Sequence, residues 1–223
     1  MNGTKRLNIL SESQTLSITK LVRKLKAEGQ DIIGLTLGEP DFNTPDHIRA
    51  EAIKAIEEGF THYTPVSGIL PLRKAIAQIY IDKFGLDINH ENIVASTGAK
   101  QSLVNSIMSI VDPGQEAILP APYWVSYREM LKMAEAKTVV IQTELENSFK
   151  MTPEQLEAAI TPNTRLLLLN SPNNPTGCVY SKEELAALVA VLENHPNIIV
   201  ISDEIYEHIT FEAEATSLAS FPS

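Results

Sequence analysis

The chain has 223 residues, of which 43% are apolar and 21% charged, and its formal net charge is −10. These proportions exclude a disordered class, and the acidic balance argues against nucleic acid or an anionic membrane surface as a partner, since both need clustered Lys and Arg. A single cysteine, Cys178, excludes an intrachain disulfide. The first ten residues hold no apolar signal segment, and no run is long enough to cross a bilayer, so we expect a cytoplasmic protein.

The first half of the chain alternates amphipathic helices with short apolar runs. The pattern predicts helices over residues 16–28, 45–58 and 70–84, and a glycine follows each of them. A short apolar run covers residues 32–37, and a strand is predicted over residues 93–96. After a Thr97-Gly98 break, a further helix is predicted over residues 100–111.

The second half repeats a strand–helix alternation. Strands are predicted at residues 117–119, 138–141, 166–169 and 198–201, with helices at 123–134, 153–160 and 182–193. This order implies an α/β fold, a three-layer α/β/α arrangement with a mainly parallel sheet and helices on its faces. We expect residues 1–46 to form an N-terminal arm and small-domain segment, and residues 47–223 to form the large domain.

Polar residues follow the last two predicted strands. Asn174 lies after residues 166–169, and Asp203 and Tyr206 lie after residues 198–201. Open α/β sheets bind their ligands at the carboxyl ends of their strands. A carboxylate there can keep a pyridinium nitrogen protonated, which makes the ring an electron sink, and the amide and the phenol can bond a ring oxygen. The alternatives are a helix cap or solvated carboxylate for Asp203, packing for Tyr206 and a turn for Asn174.

Two further features fit the same kind of ligand. Small residues at 96–100 separate a predicted strand from a helix, where backbone N–H groups can bind a phosphate, although such a glycine often serves turn geometry alone. Trp124, the only tryptophan, is either a flat wall for a cofactor ring or a packing residue. The chain has neither G-x-G-x-x-G after its first strand nor G-x-x-x-x-G-K-[ST], which argues against a dinucleotide or nucleoside triphosphate site. The scattered histidines do not suggest a metal site.

Four segments in this order resemble a known family. They read Gly-Glu-Pro-Asp-Phe at 38–42, Pro-Tyr-Trp-Val-Ser-Tyr at 122–127, Ser-Pro-Asn-Asn-Pro-Thr-Gly at 171–177 and Ser-Asp-Glu-Ile-Tyr-Glu at 202–207. Together they resemble the class I/II, fold-type I aminotransferases that depend on pyridoxal 5'-phosphate, and the bacterial aspartate aminotransferase branch most closely. The resemblance runs from about residue 16 to the last residue.

The resemblance implies a pyridoxal phosphate site and a role for each of its residues. Asp203 resembles the partner of the ring nitrogen, and the Asn174–Pro175 bond is a candidate for the cis form. The other implied cofactor residues are Gly98, Ala99 and Lys100 at the phosphate, Trp124 stacked on the ring, Asn174 and Tyr206 at the ring oxygen, and Tyr63 at the phosphate of a partner subunit's cofactor. Tyr63 thereby implies a homodimer, and the implied substrate-binding residues are Gly38, Trp124 and Asn174.

The implied activity is transamination between an amino acid, aspartate in this branch, and a 2-oxo acid, 2-oxoglutarate. In the family a lysine beyond the Asp-x-x-Tyr segment forms a Schiff base and moves the proton. No lysine follows Lys182 here, and neither Lys100 nor Lys182 is a good substitute. We therefore expect the N-terminal part of an aminotransferase, with its large domain incomplete and no catalytic residue of its own.

Two alternatives stay open at this point. The first is an aminotransferase of another specificity, aromatic, alanine or prephenate. The second is a non-catalytic pyridoxal-phosphate-binding sensor module of a transcriptional regulator, which usually has a DNA-binding segment ahead of this region. The N-terminal part is short and shows no helix-turn-helix pattern, and the chain as a whole is acidic, so we expect no DNA binding in a gel shift.

Overall fold

The computed structural model describes residues 3–12, 14–35, 38–212 and 214–221. The chain divides into two compact units, one formed by Met1–Leu10 with Leu70–Ser223 and the other by Ser11–Ile69. The domain boundary expected after residue 46 stays a prediction.

Apart from the short helix at Lys5–Asn8, which was not predicted, the helices begin and end within a few residues of their predicted bounds. None of those in the described residues is both long and apolar enough to cross a membrane. Their bounds are α1 (Lys5–Asn8), α2 (Gln14–Ala27), α3 (Asp46–Glu57), α4 (Leu70–Phe84), α5 (Ala99–Ile110), α6 (Val125–Met133), α7 (Pro153–Ala159) and α8 (Lys182–Leu192).

Capping boxes fix where the last two helices begin. The Thr152 hydroxyl accepts from the amide of Gln155, whose side chain accepts from Thr152 N, and Ser181 and Glu184 make the same reciprocal pair before α8. Each box satisfies two amides that the first helical turn leaves without partners.

Four strands form one parallel sheet, which confirms the predicted α/β class. They are β1 (Glu116–Ala121), β2 (Lys137–Gln142), β3 (Thr164–Asn170) and β4 (Ile199–Asp203), in the order β2-β1-β3-β4. The chain order reverses between β1 and β3, and open α/β sheets bind ligands at the carboxyl end of such a reversal.

Alternate strand residues enter two separate cores, because side chains of a strand point to opposite faces. On one face Leu119 and Leu168 pack with Leu103 and Ile107 of α5 and with Leu131 of α6. The other face has its own set, namely Ile118, Leu167 and Leu169 of the strands with Leu156 of α7 and Leu185 of α8. Both faces of the sheet are therefore covered by helices, as the expected three-layer arrangement requires.

The predicted strand at residues 93–96 is wrong. Its backbone is extended at Ile93 (φ −108°, ψ 130°), but no strand is formed over these described residues. The Ile93 carbonyl instead accepts from Arg73 Nε at 3.0 Å. A strand needs a neighbouring backbone to pair with, and the apolar run alone does not show whether one exists. Residues 32–35 also form no strand, and Thr36 and Leu37 lie outside the described residues.

Candidate functional site

One buried asparagine joins the loops that follow β3 and β4. Asn170, the last residue of β3, is 5% exposed and lies opposite Asp203 in the strand register. Its Nδ2 donates to the Asp203 carbonyl oxygen at 2.9 Å, and its Oδ1 accepts from Asn174 N at 2.8 Å. This single side chain therefore fixes where Asn174 lies relative to the end of β4.

Asn174 and Tyr206, which the sequence predicts as partners, do meet. Asn174 Nδ2 donates to Tyr206 Oη at 3.2 Å, and both residues are half-buried. The Asn174–Pro175 peptide bond is cis, as expected. The phenol keeps its own proton to donate, and the amide keeps a second one, so the pair can donate together to one anionic oxygen.

Asp203 ends β4 with a carboxylate whose hydrogen bonds come from neutral donors. Tyr127 Oη donates to Oδ2 at 2.8 Å, and the Ile205 amide donates to Oδ1 at 3.2 Å. No Lys, Arg or His among the described residues forms an ion pair with it. A half-buried carboxylate held in this way can take a cationic ligand as its counter-charge.

Trp124 lies next to the tyrosine that bonds Asp203. The two rings meet edge to face, with centroids 5.3 Å apart and an interplanar angle of 85°. Tyr127 is 2% exposed. Burial first, and then the charge of Asp203, raise the pKa of its phenol, so the group stays protonated and remains a donor. Trp124 and Asp203 are therefore linked through one buried side chain.

The turn before α5 also belongs to this region, since Lys100 Nζ lies 4.9 Å from the centre of the Trp124 ring. Gly98 is the N-cap of α5 with φ +85°, a backbone conformation that other residues rarely adopt. No side chain caps the helix, and Gly98, Ala99 and Lys100 are exposed. The first amides of α5 are thus open to an anion, which the helix dipole also attracts.

The two remaining predicted residues belong to the other unit. Gly38 and Tyr63 lie within Ser11–Ile69, whereas every other predicted site residue lies in the unit that contains the sheet. Tyr63 is fully exposed and Gly38 is exposed. The roles expected for them, at the substrate carboxylate and at a partner subunit's cofactor, stay predictions.

Three residues of this region were not predicted from the sequence. Tyr127 stands three residues after Trp124, a spacing that puts both on one side of a helical turn, and this was the signal available. Asn170 directly precedes the 171–177 segment, but its pairing with Asp203 depends on the sheet order. Glu204 gave no signal: its Oε1 accepts from Ser202 Oγ at 2.7 Å, Ser217 Oγ at 3.0 Å and Leu218 N at 3.0 Å, which fastens the segment that follows β4.

Residues 30–221 match the family model described as aminotransferase class I and II. An aspartate/prephenate aminotransferase of Nitrosomonas europaea is 48% identical over 96% of this chain and 54% of its own length, and an aspartate aminotransferase of Geobacillus stearothermophilus is 46% identical over 95% and 53%. The chain thus spans about half the length of the curated relatives it matches.

Solved structures give the same result. The chain superposes on the aspartate aminotransferase of Thermus thermophilus with maleate with a TM-score of 0.94 and 41% identity, over 99% of this chain and 58% of that one. For the enzyme from Rhizobium meliloti the TM-score is 0.95 at 40% identity, over 99% and 55%. A family model that matches most of the chain, relatives at this identity and a strand-end cluster of this composition agree: the chain belongs to the class I and II aminotransferases.

Proposed function

We propose that this protein transfers the amino group of aspartate to a 2-oxo acid, 2-oxoglutarate, with pyridoxal 5'-phosphate as its cofactor. The observation that carries the proposal is the carboxylate of Asp203, which accepts from two neutral donors at 2.8 and 3.2 Å and has no cation among the described residues. A pyridinium nitrogen is a cation that such a carboxylate keeps protonated.

The groups around this carboxylate suit the other parts of the cofactor. Asn174 and Tyr206, 3.2 Å apart, offer two protons to a ring oxygen. Trp124 offers a flat apolar face for a ring. The start of α5, which no side chain caps, offers the backbone amides of Ala99 and Lys100 to a phosphate. Residues at the carboxyl end of the sheet thus suit all four parts of the cofactor, namely the cationic ring nitrogen, the anionic ring oxygen, the flat ring and the phosphate.

When bound, pyridoxal phosphate supplies a ring that accepts the electron pair left at Cα of the amino acid. This chain's part is then to hold and polarise that ring. Asp203 keeps the proton on the ring nitrogen, Asn174 and Tyr206 hold the ring oxygen, and Trp124 shields one face from water. We assign Gly38, Trp124 and Asn174 to the substrate, and Tyr63 to the cofactor phosphate of a second subunit in a homodimer.

The substrate class rests on the names of the relatives. Those named above are aspartate and aspartate/prephenate aminotransferases. Aspartate is therefore the proposed amino donor. Prephenate is the second candidate for the 2-oxo acid, because the Nitrosomonas europaea protein carries it in its name.

These 223 residues by themselves are expected to bind the cofactor without turning substrate over. Lys182 is the last lysine of these residues and begins α8, and Lys100 lies in the first turn of α5 with its Nζ 4.9 Å from the centre of the Trp124 ring. We assign the proton transfer at Cα to neither of them.

The experiment has a binding arm and an activity arm. Pyridoxal phosphate is titrated into the 223-residue chain while the fluorescence of Trp124, its only tryptophan, is followed. We expect saturable quenching that pyridoxal without the phosphate reproduces only at much higher concentration. The longest protein that the gene encodes is then assayed with aspartate and either 2-oxoglutarate or prephenate. Saturable quenching together with turnover would establish the proposal; no quenching, or no turnover with either acceptor, would refute its cofactor or its substrate part respectively.

A further inference from the structure

Tyr127 is a buried tyrosine that contacts both walls of the proposed cofactor site. It stands in the first turn of α6, where its amide bonds the Trp124 carbonyl at 3.0 Å. Its hydroxyl donates to Asp203 Oδ2 at 2.8 Å, across 76 residues of sequence. Its ring meets the Trp124 ring at 5.3 Å and 85°. One side chain thus spans from the start of α6 to the end of β4.

The hydrogen bonds to Asp203 restrict the orientation of its carboxylate. Tyr127 bonds Oδ2 and the Ile205 amide bonds Oδ1, so rotation about the Cβ–Cγ bond would break both. Tyr127 itself has little freedom, because it is 2% exposed and packed in the core with Leu119 and Leu168. The carboxylate is therefore held before any ligand arrives, which lowers the ordering cost of binding.

We propose that Tyr127 is a positioning residue that presents the Asp203 carboxylate to the ring nitrogen of the cofactor and keeps Trp124 in place beside it. The inference rests on the proposed function, because it takes the ring nitrogen as the ligand of Asp203. The hydroxyl holds the Asp203 carboxylate through a hydrogen bond, and the aromatic ring packs edge to face against Trp124. Removing the hydroxyl alone is expected to affect recognition of the nitrogen and to leave the rest of the site as it is.

Two ligands separate this role from a general loosening of the fold. One is pyridoxal phosphate, and the other is its 1-deaza analogue, in which a C–H replaces the ring nitrogen. Both are titrated into the unaltered chain and into Tyr127→Phe, with Trp124 fluorescence as the readout. We expect Tyr127→Phe to weaken pyridoxal phosphate about three- to tenfold and to leave the analogue within about twofold, since only the natural ring can use Asp203.

Tyr180→Phe is the matched control. Tyr180 is also buried, at 3% exposed, and its hydroxyl also has a partner, the Met151 amide at 2.6 Å. We expect it to change neither ligand's affinity. In an Asp203→Asn background, Tyr127→Phe is expected to add nothing further to the loss of pyridoxal phosphate affinity.

The outcomes are distinguishable. If Tyr127→Phe weakens both ligands equally, the tyrosine only stabilises the fold and the inference is wrong; if it weakens neither, the inference is also wrong. Selective weakening of the natural ligand supports it. If the unaltered chain is quenched by neither compound, the proposed function loses its cofactor site, and this role of Tyr127 goes with it.

Discussion

The sheet carries a carboxylate at each end, buried at Glu116 and half-buried at Asp203, and the two have different hydrogen-bond donors. At the amino end, Glu116 is 4% exposed and bonds Lys137 Nζ at 2.7 Å and Thr161 Oγ1 at 2.6 Å. At the carboxyl end, Asp203 bonds only the neutral donors Tyr127 and Ile205 N. Glu116 has its counter-charge within the chain, whereas Asp203 has none among the described residues.

The presence or absence of a counter-charge distinguishes an acid that stabilises the fold, Glu116, from one that is available to a ligand, Asp203. Removing a carboxylate that is already paired costs folding free energy, because its donors lose their partner. Replacing one that lacks a cation by an amide of the same shape leaves an oxygen to accept from its neutral donors and costs mainly the ligand that would supply that cation.

Asp203→Asn is expected to have the largest effect, and on binding rather than folding. The amide keeps the shape of the side chain but loses the charge that pairs with a pyridinium nitrogen. A charged hydrogen bond contributes about 1.5–3 kcal/mol, so the Kd for pyridoxal phosphate should rise about ten- to hundredfold. Trp124 quenching measures the Kd, and urea unfolding should show a change below about 1 kcal/mol. An unchanged Kd would contradict the assignment of Asp203.

Glu116→Ala should give the opposite result. It leaves Thr161 and Lys137 without their common acceptor, so the free energy of unfolding should fall by about 1–3 kcal/mol, with the Kd for pyridoxal phosphate unchanged. Urea unfolding and Trp124 quenching are the two measurements. Glu146→Ala, at an exposed position, is the control and should stay within about 0.5 kcal/mol. If Glu116→Ala lost cofactor binding without losing stability, Glu116 would be a binding residue and not a structural one.

Tyr206→Phe tests the neighbouring pair at the carboxyl end. It removes the phenol that accepts from Asn174 Nδ2. One neutral hydrogen bond contributes about 0.5–1.5 kcal/mol, so the Kd for pyridoxal phosphate should rise about two- to tenfold. Tyr80→Phe in α4 serves as the control in the same quenching titration. Equal Kd values for pyridoxal phosphate in the two variants would show that the Tyr206 hydroxyl does not contribute to cofactor binding.

Lys137→Met should have the smallest effect at neutral pH, below about 1 kcal/mol, because the lysine side chain is 70% exposed. Hydrogen bonds from Lys137 and then Thr161 hold the pKa of Glu116 below its ordinary value of 4.5. The folded state therefore prefers the ionised group, so this stabilisation is complete above pH 4.5 and is lost as the pH falls through the lowered pKa.

With the lysine gone, that loss of stability below pH 4.5 should become smaller. Urea midpoints measured between pH 7 and pH 3 check it, with the exposed Lys74→Met as the control. A variant whose acid-side slope equals that of the unaltered chain would show that Thr161, rather than Lys137, sets the pKa of Glu116.

The sequence predicts most of the fold, because its signals are local. Apolar runs such as residues 166–169 are long enough to mark buried strands, and glycines such as Gly85 mark helix ends. Residues 93–96 carry the same apolar signal and form no strand, since pairing depends on a neighbour that a local pattern does not contain. The pairing of strands is therefore less predictable from the sequence than the positions of the helices and apolar runs.

The site shows the same limit. The motif segments predict Asn174, Asp203 and Tyr206, and the structure brings these three to one edge of the sheet. They do not predict which donors hold Asp203, because Tyr127 reaches it across 76 residues. The contrast with Glu116 is likewise absent from the sequence, where both residues are simply acids beside apolar runs.

The amide of Asn170 makes the carboxyl end of the sheet sensitive to deamidation at one residue. Its nitrogen and its oxygen serve different loops, one donating to Asp203 O and the other accepting from Asn174 N, so the side chain cannot be turned over or replaced by an acid of the same shape. Deamidation to aspartate would substitute an acceptor for the donor and set a second negative charge beside Asp203. Hydrolysis of this one amide would therefore remove the hydrogen bond from Asn170 Nδ2 to the Asp203 carbonyl oxygen that joins the ends of β3 and β4.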